Sequence, residues 1–129
     1  MDWFLAAAFN HDVQEISAGY QTPFGFGVAG VEVATLFEPE LGIQSRVFYG
    51  NDDRLYCRIS LGGVLFTDPV PTAGTESNFI LGYKLAYKLT PVCHSFVEFR
   101  HYSNGRSMLG HTDRNPGLDR LLIGLTYNF

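Results

Sequence analysis

The chain has 129 residues, which is room for one domain (1–129) and too few for two. Its net charge is −4, without the excess of basic residues that nucleic-acid binding needs, so the sequence predicts no nucleic-acid partner. No apolar run reaches the roughly 18–20 residues that a membrane helix needs, and any membrane-spanning part must therefore be a closed barrel. Eleven Phe, seven Tyr and 14 Gly, with only 17% charged residues, favour a β-rich fold with tight turns.

Apolar and polar residues alternate with period two along most of the chain, and turn residues interrupt the alternation at regular intervals. This pattern predicts eight strands whose connections are short enough for antiparallel neighbours. The predicted strands lie at 3–9, 13–21, 25–37, 42–49, 54–66, 78–89, 94–103 and 118–129.

Two features favour a barrel in a membrane over a soluble sandwich. One parity of the strands is apolar, while the other carries charges of both signs, which can pair inside a narrow barrel. These charges include Arg46, Arg58, Lys84, Lys88, Glu98, Arg100 and Arg120. The chain also ends on Phe129 with apolar residues at every second position before it, which resembles the C-terminal signature of outer-membrane barrels. We therefore predict an all-β, eight-stranded antiparallel up-and-down outer-membrane β-barrel; a lipocalin-like soluble carrier, with its apolar parity inward, is the weaker alternative.

The connections predict how such a barrel is oriented. With both termini on the periplasmic side, the turns at 21–25, 49–54 and 89–95 are periplasmic, and the longer connections at 66–78 and 103–118 face outward. The N-terminal residues do not have the pattern of a signal peptide. We expect a bacterial outer-membrane protein whose signal has been removed; a virion-associated or secreted protein that needs none is the alternative.

The two cysteines, Cys57 and Cys93, fit neither a metal spacing nor a redox motif. A disulfide between them is not favoured, since Cys57 is predicted within a strand and Cys93 in a turn. The sequence predicts no metal or cofactor, and it leaves open whether two copies form a homodimer.

The residues that carry chemistry cluster near the end of the seventh predicted strand. His101 and Ser103 are two apart and therefore project to the same side of the strand. Asp119 has the outward parity of the eighth strand, which is the hairpin neighbour of the seventh. The three side chains can then meet on one face as nucleophile (Ser103), general base (His101) and the acid that orients the base (Asp119). On a lipid-facing surface such a site is suited to a lipid substrate.

This segment resembles the PagL family of lipid A 3-O-deacylases. The shared pattern is an H-x-S-N motif that ends the penultimate strand, here His101 to Asn104, then a loop with N-x-G, here Asn115 to Gly117, and an acidic residue that opens the last strand. The likeness covers about the last 50 residues. Over the rest of the chain, only the regular succession of strands and turns is similar. The acid is a departure, because characterised members carry Glu where this chain has Asp119.

The resemblance implies an esterase that removes the 3-hydroxyacyl chain at position 3 of lipid A, through an acyl-serine intermediate. Lipid A of lipopolysaccharide and the surrounding membrane lipids would be its partners. It also implies that Asn115 stabilises the oxyanion together with backbone N–H groups near Gly105 and Arg106.

Some of these residues also have an interpretation without catalysis. Asp119 is then a turn cap, and Asn104 a turn former rather than a substrate-binding residue. His111 and Asp113 are interpreted as solvated loop residues, not rival members of the triad. For the whole chain, the alternative is a non-enzymatic small barrel with an adhesive or structural role.

Overall fold

Eight antiparallel strands form a closed barrel in the computed structural model, which describes residues 2–10, 14–38, 41–66, 77–103 and 118–129. Each strand pairs with the next along the chain, and β1 closes the barrel by pairing with β8. The strands are β1 Asp2–Phe9, β2 Gln14–Phe24, β3 Gly27–Glu38, β4 Gly42–Gly50, β5 Leu55–Phe66, β6 Ser77–Lys88, β7 Cys93–Ser103 and β8 Leu118–Asn128. The predicted fold class and strand order are confirmed. In the described ranges there is no helix long and apolar enough to cross a bilayer.

The turn between β2 and β3 differs from its prediction. The segment 21–25 was expected to form it, but β2 runs on through Pro23 and the turn consists of Gly25 and Phe26. Gly25 has a φ of 60°, the left-handed value required at the first central position of a type II′ hairpin turn. The prediction placed Pro23 in the turn because proline interrupts the hydrogen bonds of a central strand. Near the end of a strand, however, proline is tolerated.

The two cysteines lie on strands that are separated by β6, and they do not form a disulfide. Cys57 is in β5, as predicted, whereas Cys93 is the first residue of β7 and not part of a turn. Both thiols are free of disulfide bonds.

The barrel is apolar outside and polar inside. Side chains of one parity are exposed on every strand and are mostly large and apolar, as in Leu5, Ile16, Val33, Val47, Ile59, Leu81, Phe99 and Ile123. The opposite parity is buried and includes Glu15, Glu32, Arg46, Arg58, Glu98, Arg100 and Arg120. A soluble protein has the reverse distribution, whereas a barrel surrounded by lipid has this one. The lipocalin-like alternative is wrong for this reason.

A network of five charged side chains, the lumen ion network, joins opposite walls of the barrel. It consists of Glu15, Glu32, Arg46, Glu98 and Arg100, each no more than 4% exposed. Arg100 donates to Glu15 at 2.8 Å and also to Glu98, while Arg46 donates to Glu98 at 2.9 Å and also to Glu32. Glu98 is thus shared between two arginines, and the prediction that inward charges of opposite sign pair inside the barrel is confirmed.

The two ends of the barrel differ in their connections. One end carries both described chain ends, the Gly25–Phe26 turn and the segments 51–54 and 89–92. The connections from β5 to β6 and from β7 to β8, which are longer in sequence, leave the other end. Aromatic pairs with ring centroids 5.0–6.2 Å apart lie at the end with the chain ends: Trp3 with Tyr20, Phe24 with Tyr49, and Tyr127 with Phe129. Such a belt is typical of a membrane–water interface.

We expect Arg100→Met to destabilise the barrel by about 3–5 kcal/mol, because Glu15 and Glu98 would lose a buried cationic partner. Urea unfolding of the protein in lipid vesicles measures the loss. Arg54→Met is the matched control, since it removes the same charge from an exposed position at the rim. Equal unfolding midpoints for the two variants would show that the lumen ion network does not stabilise the barrel.

Candidate active site

The candidate site lies on the outer face, where β7 ends and β8 begins. Along β7, Arg100 and Tyr102 point into the lumen and are 1% and 0% exposed. His101 and Ser103 alternate with them and are half-buried on the outer side. In the register of the hairpin, His101 lies directly opposite Asp119.

The His101 imidazole and the Asp119 carboxylate are in contact. His101 Nδ1 lies 2.6 Å from Asp119 Oδ1, and the two side chains are 45% and 61% exposed. Directly opposed residues of an antiparallel pair have Cβ atoms only about 4.5–5.5 Å apart. The short arm of aspartate therefore reaches the ring from this position.

Ser103 is on the same face as the imidazole. It lies two residues beyond His101, about 7 Å along the strand, and opposite the exposed Phe79 of β6. The three residues predicted from the sequence as nucleophile, base and acid thus lie at the same end of the β7–β8 hairpin. Apolar side chains surround them.

An apolar groove opens on the outer face next to His101. It is lined by Ile59, Leu81, Gly82, Tyr83, Phe99 and His101, and it measures about 440 Å³ counting its open side. Apart from His101, the side chains that line it are aliphatic or aromatic. We refer to it as the outer-face groove.

The comparisons with known proteins bear on the fold. No family model matches the sequence, and no curated protein does. Among solved structures, the chain is similar to one described as the crystal structure of the outer membrane enzyme PagL, with a TM-score of 0.63. The fold is that of PagL. The match covers 98% of this chain and 99% of PagL at 14% sequence identity, so it is a likeness of architecture over the full length of both barrels.

Several predicted site residues lie outside the described part of the chain. These are Asn104, Gly105 and Asn115, together with Arg106, His111 and Asp113. The oxyanion-stabilising role given to Asn115 and to the backbone near Gly105 therefore stays a prediction. Within the described ranges, no group of three or more His, Cys, Asp or Glu side chains is placed to hold a metal ion.

Sequence reasoning missed the outer-face groove. Its lining comes from three strands, and which of their residues adjoin depends on pairing register, which parity alone does not give. The outward parity of Ile59, Tyr83 and Phe99 was visible in the sequence; their alignment in one row was not.

The contact between Asp119 and His101 predicts the tautomer of the neutral imidazole. With Asp119 accepting at Nδ1, the proton should reside on Nδ1 and leave Nε2 unprotonated. The ¹⁵N chemical shifts of labelled histidine in the detergent-solubilised protein measure this, with His101→Gln to assign the signal. Asp119→Ala should abolish the preference for Nδ1–H, whereas Asp53→Ala, which removes an exposed carboxylate elsewhere, should not. An unprotonated Nδ1 in the wild type would contradict the contact.

Proposed function

We propose that the protein is an outer-membrane serine esterase that removes the 3-O-linked 3-hydroxyacyl chain from lipid A of lipopolysaccharide. The observation that carries the proposal is the contact of His101 Nδ1 with Asp119, on the apolar outer face and beside Ser103. A base held by a carboxylate next to a serine is the arrangement that serine hydrolases share on unrelated folds. The substrate in this proposal is inferred from the resemblance at the H-x-S-N motif.

The chemistry follows from the two nitrogens of the ring. With Nδ1 hydrogen-bonded to Asp119, Nε2 is left to take the proton of the Ser103 hydroxyl as its oxygen attacks the ester carbonyl. Asp119 stabilises the imidazolium that forms. The imidazolium then protonates the departing sugar oxygen, and an acyl-serine remains.

Water completes the reaction in the second half. His101 takes a proton from water, the hydroxide attacks the acyl-serine, and the proton returns to Ser103. The products are 3-O-deacylated lipid A and a free 3-hydroxy fatty acid. In this scheme no metal or cofactor is needed, and Asn115 with backbone N–H groups near Gly105 would hold the oxyanion.

The position of the site favours a lipid as substrate. Phe79, Leu81 and Phe99 surround it on the outer face and are each about half exposed. A water-soluble ester gains nothing from an approach along this surface, whereas a membrane lipid already lies against it. The site is also at the end of the barrel away from the chain ends, which is the side of the outer leaflet if the termini are periplasmic.

The first test is the lipid A of cells that express the protein. Mass spectrometry should show loss of one 3-hydroxyacyl group with the wild type and no loss with Ser103→Ala, since the nucleophile is then absent. Ser95→Ala is the matched control, because Ser95 has the same outward parity on β7 but lies eight residues away from Ser103. Unchanged lipid A in wild-type cells would favour the non-enzymatic barrel.

The second test separates the acid from a turn cap. Asp119→Asn should lower kcat for hydrolysis of p-nitrophenyl butyrate by about 10³- to 10⁴-fold, because the imidazole loses the carboxylate that orients it and stabilises its charge. KM should change little, since Asp119 acts through His101. Asp53→Asn should leave both constants unchanged. Full activity of Asp119→Asn would assign the residue to the turn and not to catalysis.

A further inference from the structure

A cavity inside the barrel has more positive than negative charge around it. It lies in the lumen, beside the lumen ion network and toward the end that carries the chain ends. Its charged lining consists of three cations, Arg46, Arg58 and Lys84, and two carboxylates, Glu32 and Glu98. Both carboxylates already accept hydrogen bonds from Arg46. The lining therefore has one positive charge in excess, and the two cations outside the lumen ion network contribute it.

Those two cations, Arg58 and Lys84, face each other across the sheet. They are directly opposite in the ladder of β5 and β6, and like charges in that position destabilise a strand pair. The ion pairs they make are long: Lys84 Nζ lies 3.9 Å from Glu32, and Arg58 Nη2 lies 3.9 Å from Asp52. Asp52 is half exposed at the rim and lies closer, at 3.0 Å, to Lys88. The repulsion within the opposed pair is thus only partly compensated.

Arg58 also brings unused hydrogen-bond donors to the cavity. The side chain is 9% exposed, and its Nη1 donates to Gln21 at 2.8 Å. Its Nε and Nη2, and Nε of Arg46, have no hydrogen-bond partner in the part of the chain that the structure describes. The guanidinium lies over the rings of Phe48 and Tyr56, 5.2 and 4.3 Å from their centres, which positions its plane but provides no acceptor for these N–H groups. A buried donor without an acceptor costs free energy that a bound acceptor would recover.

We propose that this cavity binds one small monovalent anion, such as chloride, between Arg58 and Lys84. The cavity leaves about 20 Å³ for the centre of a water-sized sphere, which is room for one water molecule or one ion of similar size and too little for an organic anion. A water molecule could accept from the N–H groups but would leave the excess charge in place. An anion supplies both the acceptor and the negative charge that the opposed pair lacks.

Such an ion belongs to the folded barrel alone. Arg58 and Lys84 are 26 positions apart in the chain and come together only when β5 pairs with β6. A ligand that binds the folded state and not the unfolded chain shifts the unfolding equilibrium in proportion to its occupancy. The stability of the barrel should therefore depend on the chloride concentration itself and not only on ionic strength.

The experiment is urea unfolding of the protein in lipid vesicles, with chloride raised from about 10 to about 100 mM while gluconate keeps the ionic strength constant. The ratio of folded to unfolded protein should increase severalfold, and at most about tenfold. In Arg58→Met the ratio should not respond to chloride, because the donors are gone and the lining is then neutral. Arg54→Met is the matched control: it removes an exposed arginine from the turn before β5 and should keep the wild-type response.

Two results would overturn the inference. One is an equal ratio at both chloride concentrations in the wild type, since a water molecule then fills the cavity. The other is an undiminished chloride response in Arg58→Met, since the anion then acts elsewhere. Should Arg58→Met fail to fold, Lys84→Met makes the same change in charge on the opposite strand, and the same outcomes apply to it.

A crystallographic measurement places the ion directly. Wild-type crystals grown with bromide in place of chloride should give an anomalous scattering peak in the cavity, within hydrogen-bond distance of Arg58 Nε or Nη2. A cavity without such a peak would also contradict the proposal.

Discussion

The guanidinium of Arg100, buried between the carboxylates of Glu15 and Glu98, determines which way β7 faces. A charge in the lumen needs partners, because an unpaired ion in a region poor in water costs several kcal/mol. Side chains alternate along a strand, so holding Arg100 inside requires His101 to lie outside. A slip of one residue would move Arg100 into the apolar surface and the imidazole into the lumen. The lumen ion network is therefore also what positions the candidate catalytic residues.

The same alternation explains why a polar site can exist on an apolar face. His101 and Asp119 are each other's nearest partner, so neither is an isolated polar group among Phe79, Leu81 and Phe99. Their direct opposition in the hairpin makes an aspartate sufficient, whereas an acid one position further along β8 would point into the lumen. The chemistry thus depends on register as much as on residue type.

The likeness to PagL at 14% identity fits these constraints. A closed barrel of this kind requires outward apolar residues, inward polar residues that pair, and turns of suitable length, and many residue combinations meet those requirements. Chains can therefore share the architecture along their whole length while few positions match.

Alternation and turn residues by themselves determined the eight strands, the apolar outer parity, the inward position of Glu98 and Arg100 and the common face of His101 and Ser103, because each follows from local geometry with a period of two. The tertiary structure decided what depends on register between strands: the 2.6 Å contact of His101 with Asp119 and the row from Phe99 to Ile59. It also moved the turn between β2 and β3 to Gly25, since the ladder beyond Gln21 is set by pairing with β3 and not by the proline in the sequence. Register comes from the sum of many cross-strand contacts and from barrel closure, and no short stretch of sequence contains that information.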